Sequence, residues 1–392
     1  MAMHQITMGL LRAGCNVHVL SVSSEKHPVV DQDIPTEYKE ATDFETVRLD
    51  LSVRPMPALF AMMSGQSYNV QRFDSPMMHK RIRKILSENH FDIVHVESIF
   101  LAPYLSTIKD CCNAPVVLRT HNVEHQIWRR LAQNCHIPFK RGYLRHLALT
   151  LRAYECDMAP KFDAIASITN SDASFFREIA PRREVITLPF GVDVPKDNTS
   201  DAGDAPQPTI PHSVYHLGSM DWEPNIEGIQ WFLRAIWPKV KSKIPDATLH
   251  LAGRHMPTDW QVPDGVKVVG EVANAKSFIE DKQLCVVPLL SGGGMRIKII
   301  EAMSSGKCVV STPVGAEGIN ITNGTNMLIG QDADEFAQQV VFALLNDQAR
   351  DSIGLEAQRL AYERYDNSKL TDQLLSLYRN LLRKRQQDEN EI

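Results

Sequence analysis

Short β-branched runs alternate with helical stretches along almost the whole chain. This alternation limits the available folds more than any other feature, because it builds βαβ units and parallel sheets. In the first half the strand-like runs are Val17–Val22, Thr46–Leu49, Asp92–Glu97, Val116–Thr120, Ala164–Thr169 and Val185–Leu188. Helical patterns lie between several of them, at Met77–Asn89, Val123–Gln133 and Phe139–Ala159. Residues 193–212 then break the pattern with Pro, Asp, Gly and Ser and no periodicity, as a linker does. Alternation resumes at Ser213–Gly218, Thr248–Gly253, Val266–Gly270, Leu284–Leu289 and Cys308–Thr312. Helices near 225–243, 273–282, 295–305, 332–346 and 348–363 separate or follow these strands, and a last one runs near 367–385. At 392 residues the chain exceeds one ordinary core. The expected organisation is an α/β domain over 1–192, a linker over 193–212, a second α/β domain over 213–366, and a closing helix with a charged tail over 367–392.

Composition removes several classes of function. The balance of 43% hydrophobic and 23% charged residues fits a globular protein. No run of eighteen apolar residues occurs, and the start lacks the pattern of a secretory signal. Seven scattered cysteines without CxxC spacing predict reduced thiols, a cytoplasmic location and no zinc site. Net charge is −5 but uneven, with 22 basic against 20 acidic residues in 1–190 and 20 against 27 in the remainder. Over 119–152, Arg119, Arg129, Arg130, Lys140, Arg141, Arg145 and Arg152 face one acid, Glu124. Such a stretch attracts anionic lipid headgroups, anionic acceptors or nucleic acid, or is a solvated helix face. A pI near 6.3 and the lack of interleaved aromatics argue against nucleic acid.

The start departs from the usual order. Residues 2–13 read as a helix, with Met3, Ile6, Leu10 and Leu11 at helical spacing and Gly14 suited to its C-cap. A doubly wound domain opens instead with a strand whose loop feeds that helix. The expectation is that this strand and loop are missing, through truncation or a misassigned start codon.

Chemistry is written most clearly in Leu284–Thr312: a buried strand, a glycine loop, a helix of about eleven residues, a glycine stop and a second buried strand. Gly292, Gly293 and Gly294 let backbone approach a ligand, and the helix start offers unpaired N–H donors, a combination suited to phosphate or diphosphate. Arg296 and Lys298 put cations in the first turn, where the helix dipole disfavours them and an anionic ligand would compensate. Glu301, three residues after Lys298, could accept hydrogen bonds from sugar or ribose hydroxyls. The alternative is a tight connection with an internal Lys–Glu pair. A second loop, at Gly218 and Ser219, follows the first strand of the C-terminal domain, with Pro224 placed for a helix start. A third strand ends at Gly253 and Arg254; the arginine either pairs with phosphate or lies on the surface. In the N-terminal domain the strand Val116–Thr120 presents His121 at its carboxyl edge, facing the interdomain cleft, either for a donor sugar and its departing phosphate or as a structural histidine. The segment 53–79 is Met-rich and irregular, either an adaptable acceptor wall or a core-capping loop.

At these residues the sequence resembles the retaining, GT-B-fold glycosyltransferases of family four, also called glycosyl transferases group one. GGGMRIKIIEAMSSGKCVVSTPVGAEGI resembles the family's donor-site signature; THN at 120–122, LPFGVD at 188–193 and LGSMDWEPN at 217–225 resemble further landmarks in the expected order. The resemblance spans nearly the whole chain. It implies two Rossmann-like domains facing a cleft, the nucleotide-sugar donor held mainly by the second, and a last helix returning to the first. Transfer to a glycan or lipid-linked acceptor would proceed with retention, with no cofactor and no obligatory metal. Carried over, Glu301 binds the ribose hydroxyls, Gly218, Arg296 and Lys298 lie near the diphosphate, and His121 lies near the transferred sugar. Ser219, Arg254, Gly292, Gly293, Gly294 and Met295 complete the donor contacts. The family's usual pair of glutamates is incomplete, since Gly293 stands eight positions before Glu301. The GGGxRxK form resembles a recognised branch, in which Arg296 and Lys298 compensate for the Arg and Lys missing after Gly218. A nucleotide-sugar epimerase and a non-catalytic sugar-nucleotide binder are the rival readings. Together with the basic stretch, segment 53–79 permits peripheral docking on the cytoplasmic face of a membrane.

Overall fold

The computed structural model describes residues 2–194, 208–257 and 260–390, and all of its paired strands run parallel. The chain divides into two units, Met1–Pro189 with Leu370–Ile392, and Phe190–Lys369. Of the expected linker, residues 195–207 lie outside the described residues.

The first unit opens with the helix Ala2–Arg12 and contains β1 (Leu20–Ser23), β2 (Glu45–Arg48), β3 (Val94–Glu97), β4 (Val116–Thr120), β5 (Ala164–Ser167) and β6 (Glu184–Thr187). β1 pairs with β2, whereas β3, β4, β5 and β6 form a separate sheet in that order. The sheet is thus in two pieces over a shared core, where Leu20 and Val22 pack with Val47, Val96, Val116 and Leu118. β4 is buried along its length, as the near-continuous apolar run of a parallel strand covered on both faces requires. The last helix, Asn367–Asn390, covers the other side, setting Leu374, Leu377, Tyr378 and Leu381 against Val117, Ala164, Ala166 and Leu188.

The second unit holds β7 (Ser213–Leu217), β8 (Thr248–Ala252), β9 (Val266–Gly270), β10 (Leu284–Val287), β11 (Cys308–Ser311) and β12 (Leu328–Ile329). Their order is β12-β11-β10-β7-β8-β9. The chain winds outward from β7 through β8 to β9, then restarts at β10 on the other side of β7. The carboxyl ends of β7 and β10 therefore meet at the topological switch point, where such sheets bind ligands. Trp237, Phe232 and Phe336, all fully buried, fill the core beneath.

The structure corrects one element reading. Residues 53–79 are helical, not irregular, with helices at Pro55–Ser64, Tyr68–Gln71 and Pro76–Glu88. Pro55 and Pro76 occupy helix starts, and Gly65 closes the first helix in the left-handed region at φ 69°. Several elements went unread, among them the helices Thr36–Ala41, Leu105–Cys111 and Asn170–Ile179, the last capped by the Thr169 hydroxyl on the Asp172 N–H at 3.0 Å, and the two-residue β12.

Candidate functional site

In the second unit, the switch point gathers three strand ends: Gly218 and Ser219 after β7, Gly253 and Arg254 after β8, and the loop Ser291–Met295 after β10. Gly253 lies at φ 142°, and a Cβ there would stand 2.0 Å from the Gly218 carbonyl oxygen, so only glycine lets the two loops meet. Gly292 lies at φ 113°, a backbone conformation that L side chains rarely adopt, so it too favours glycine.

The helix after this loop is Ile297–Ser304, eight residues long and shorter than the sequence suggests. Arg296 is its N-cap and only Lys298 lies in its first turn. Arg296 is 6% exposed. Its guanidinium donates to the carbonyl oxygens of Gly293 and, at 2.8 Å, Gly294, and lies 5.1 Å from the centroid of the Trp222 ring. This arginine braces the glycine loop from within. Met295 is buried.

Lys298 is held differently. Its Nζ donates to Asn225 Oδ1 at 2.8 Å and approaches His216 Nε2 at 3.3 Å. His216 is fully buried, and its Nδ1 donates to the Val286 carbonyl at 2.9 Å. That bond fixes the tautomer and leaves Nε2 as an acceptor for the ammonium. Burial, then the Lys298 charge, keeps the imidazole well below its usual pKa, so it stays neutral. Asn225 donates in turn to the Ser219 carbonyl at 2.7 Å, tying the lysine clamp to the β7 loop. The ammonium thus rests on two neutral acceptors, and burial lowers its pKa to about 7. Its Nζ is also 2.6 Å from where a Gly218 Cβ would sit, so this glycine keeps the space beside it open. Glu301, one turn along the helix, has its pKa raised by burial against the opposing pull of Lys298. A cation, a helix N-terminus and an acidic acceptor within two turns can bind an anion joined to a hydroxylated group.

Among the sequence-derived candidates, Gly218, Ser219, Gly292, Gly293, Gly294, Arg296, Lys298 and Glu301 thus share one sheet edge. Arg254 reaches that edge through its backbone, its carbonyl accepting from Met220 N at 2.9 Å, while its side chain is exposed. His216 and Asn225 escaped the sequence reading. A lone histidine inside a strand and an asparagine in a helix's first turn carry no signal until the lysine is seen between them.

His121 belongs to the first unit, just past β4. Its Nε2 lies 2.7 Å from Glu97 Oε2, at the end of the neighbouring β3. Glu97 is a third residue missed; register pairs it with Arg119, two residues before His121 on β4. The carboxylate also meets the buried Arg119 guanidinium at 3.4 Å and His95 Nε2 at 3.3 Å, and His95 Nδ1 lies 2.6 Å from the Tyr378 hydroxyl. Burial pushes the Glu97 pKa up, but the His121 and His95 hydrogen bonds and the Arg119 charge outweigh it and hold it well below the usual range. Glu97 therefore stays ionised and fixes the histidine ring. The following turn is pinned by fully buried Glu155, which accepts from Glu124 N at 2.7 Å and meets His125 Nδ1 at 2.5 Å. Among the described residues no group of three or more His, Cys, Asp or Glu could hold a metal, and no helix is long and apolar enough to cross a membrane.

Comparison with known proteins completes the site's context. Residues 2–196 match the family model described as Glycosyltransferase Family 4, and residues 211–347 match Glycosyl transferases group 1. The chain is 25% identical over 318 residues to the phosphatidyl-myo-inositol mannosyltransferase of Mycolicibacterium smegmatis, covering 77% of this chain and 75% of that one. Among solved structures it resembles sucrose-phosphate synthase from Thermosynechococcus elongatus, at TM-score 0.67 and 16% identity over 97% of this chain and 93% of that one. It also resembles Anabaena HepE in complex with UDP and glucose, at TM-score 0.58 and 14% identity, covering 91% and 90% respectively. These structures share the GT-B arrangement of two α/β domains with parallel sheets.

Proposed function

As the chain belongs to the group 1, family 4 glycosyltransferases, we propose that it moves a sugar from a nucleotide-sugar donor to a hydroxyl acceptor with retention of anomeric configuration. The observation that carries this reading is the Lys298 ammonium, held by Asn225 and His216 beside Gly218 and the start of the helix Ile297–Ser304. A cation resting on neutral partners keeps most of its field for an arriving anion. The donor diphosphate takes that place, with the loop at 292–294 and the helix N–H groups beside it and Glu301 on the ribose hydroxyls.

In the reaction the bond between the anomeric carbon and the departing phosphate oxygen breaks. The acceptor oxygen forms its bond on the same face, and its proton passes to that phosphate oxygen. Lys298 and the helix N-terminus stabilise the charge that builds on the leaving group, the largest catalytic contribution at such a centre. They do so with no resident metal. The resemblance assigns His121 to the transferred sugar, and Glu97 keeps its ring oriented.

A UDP-sugar is the first donor to try, given the UDP and glucose bound by HepE. The acceptor class is a polysaccharide, glycolipid or lipid-linked glycan, consistent with the mannosyltransferase relative's lipid name, and the enzyme works in the cytoplasm at the inner membrane face. Thermal-shift screening of UDP-, GDP- and ADP-sugars, followed by NMR of the transferred linkage, tests the reading. One donor should raise the unfolding midpoint and yield a product of the donor's anomeric configuration. No stabilisation by any member of the panel, or an inverted product, overturns it.

A further inference from the structure

The helix Pro55–Ser64 is turned inside out. It rests on its small residues, Ala58 and Ala61, which pack against Trp128, Tyr143 and Leu147 of the helices Glu124–Asn134 and Pro138–Met158. Its large apolar side chains face outward, with Met56 75%, Phe60 69% and Met63 80% exposed. These three recur at i, i+4 and i+7, so they line one face. No charged residue occurs between Arg54 and Arg72. A helix this apolar belongs in a core or against an apolar medium, and here only one stripe of it is in a core.

What covers that face is indicated by its surroundings. The two supporting helices turn at Ile137 and Phe139, which are also exposed, the latter at 94%. The same helices carry the exposed cations Arg129, Lys140, Arg141 and Arg145, with Glu124 the one acid between 119 and 152. A second copy of this chain would bring like charges together across the contact. Exposed apolar side chains on one helix, with exposed cations on the helices it rests on, match the acyl boundary and phosphates of an anionic bilayer.

We propose that the helix Pro55–Ser64 and the adjoining helical hairpin dock this protein on an anionic phospholipid surface, Met56, Phe60 and Met63 entering the acyl boundary while Lys140, Arg141 and Arg145 meet lipid phosphates. The inference deepens the reading of a lipid-borne acceptor and rests on it for its purpose. Its test contains no donor, so a failure here is distinct from a failure of donor binding.

The full chain is floated with vesicles of phosphatidylcholine alone and of phosphatidylcholine with phosphatidylglycerol. Wild type should float with the anionic vesicles and be released by high salt. Phe60→Ser with Met63→Ser should weaken binding by roughly ten-fold or more, and Lys140→Glu with Arg141→Glu should remove the preference for anionic lipid. Both variants change exposed positions, and an unchanged thermal midpoint shows that they fold. Wild type that stays behind with anionic vesicles, or a Phe60→Ser/Met63→Ser variant that floats equally well, overturns the proposal. So does wild-type self-association in light scattering that this variant abolishes, which would assign the face to a second copy.

Discussion

Lys298 is a cation whose nearest companions carry no charge, and two predictions at the residue scale start from comparing it with His121. Lys298→Ala should lower kcat/KM for the donor by roughly ten-fold or more, the effect of about 1.4 kcal/mol, in initial-rate assays. Burial holds the ammonium at about 7, so the free enzyme loses this proton as pH rises through that value. Wild-type kcat/KM should then fall on the alkaline side toward the level of the alanine variant, which should lack that limb. His121 has the opposite arrangement, a full carboxylate against its ring. Glu97→Gln keeps the shape and removes the charge; kcat should drop roughly ten-fold with donor KM nearly unchanged, since orientation is lost and binding is not. Lys298 and the glycines could be read from the sequence because they are crowded into one short motif. His216, Asn225 and Glu97 could not, since each acts on a partner brought near only by strand pairing or by a helix start across the sheet.

At the scale of elements, the β7 and β8 loops interlock through glycine. Gly253→Ala places a Cβ against the Gly218 carbonyl at a φ that L side chains rarely adopt. The variant should lose about 2 kcal/mol or more in urea unfolding and weaken donor binding at the same time, because the displaced loop is the one Asn225 ties to Lys298. The strands were legible from sequence because parallel strands buried on both faces leave unbroken β-branched runs, as in Val116–Thr120 and Leu284–Val287. The helix Pro55–Ser64 was not, because a helix apolar on all sides has no 3.6-residue rhythm to detect. β12 is too short for any period to register, and the helix Asn170–Ile179 hides behind polar residues in its first turn.

At the scale of the molecule, the first unit depends on residues that come last. Leu374 is 1% exposed within the cluster that covers Val117 and Ala164. Leu374→Ala should cost about 2–5 kcal/mol, and hydrogen exchange should report the loss across β4 and β5. The helix Ala2–Arg12 joins the same cluster through Ile6 and Leu10, so the opening and closing helices are fastened side by side. During synthesis, residues 1–189 leave the ribosome with that flank of their sheet covered by Ala2–Arg12 but not yet by Asn367–Asn390, and it stays so until the chain has passed through all of 190–369. At about 5–20 residues per second that wait is on the order of ten seconds or more. The later-made unit is therefore the earlier one to be finished, and Val117, Ala164 and Ala166 wait for Leu374 and Leu377 until those residues are made.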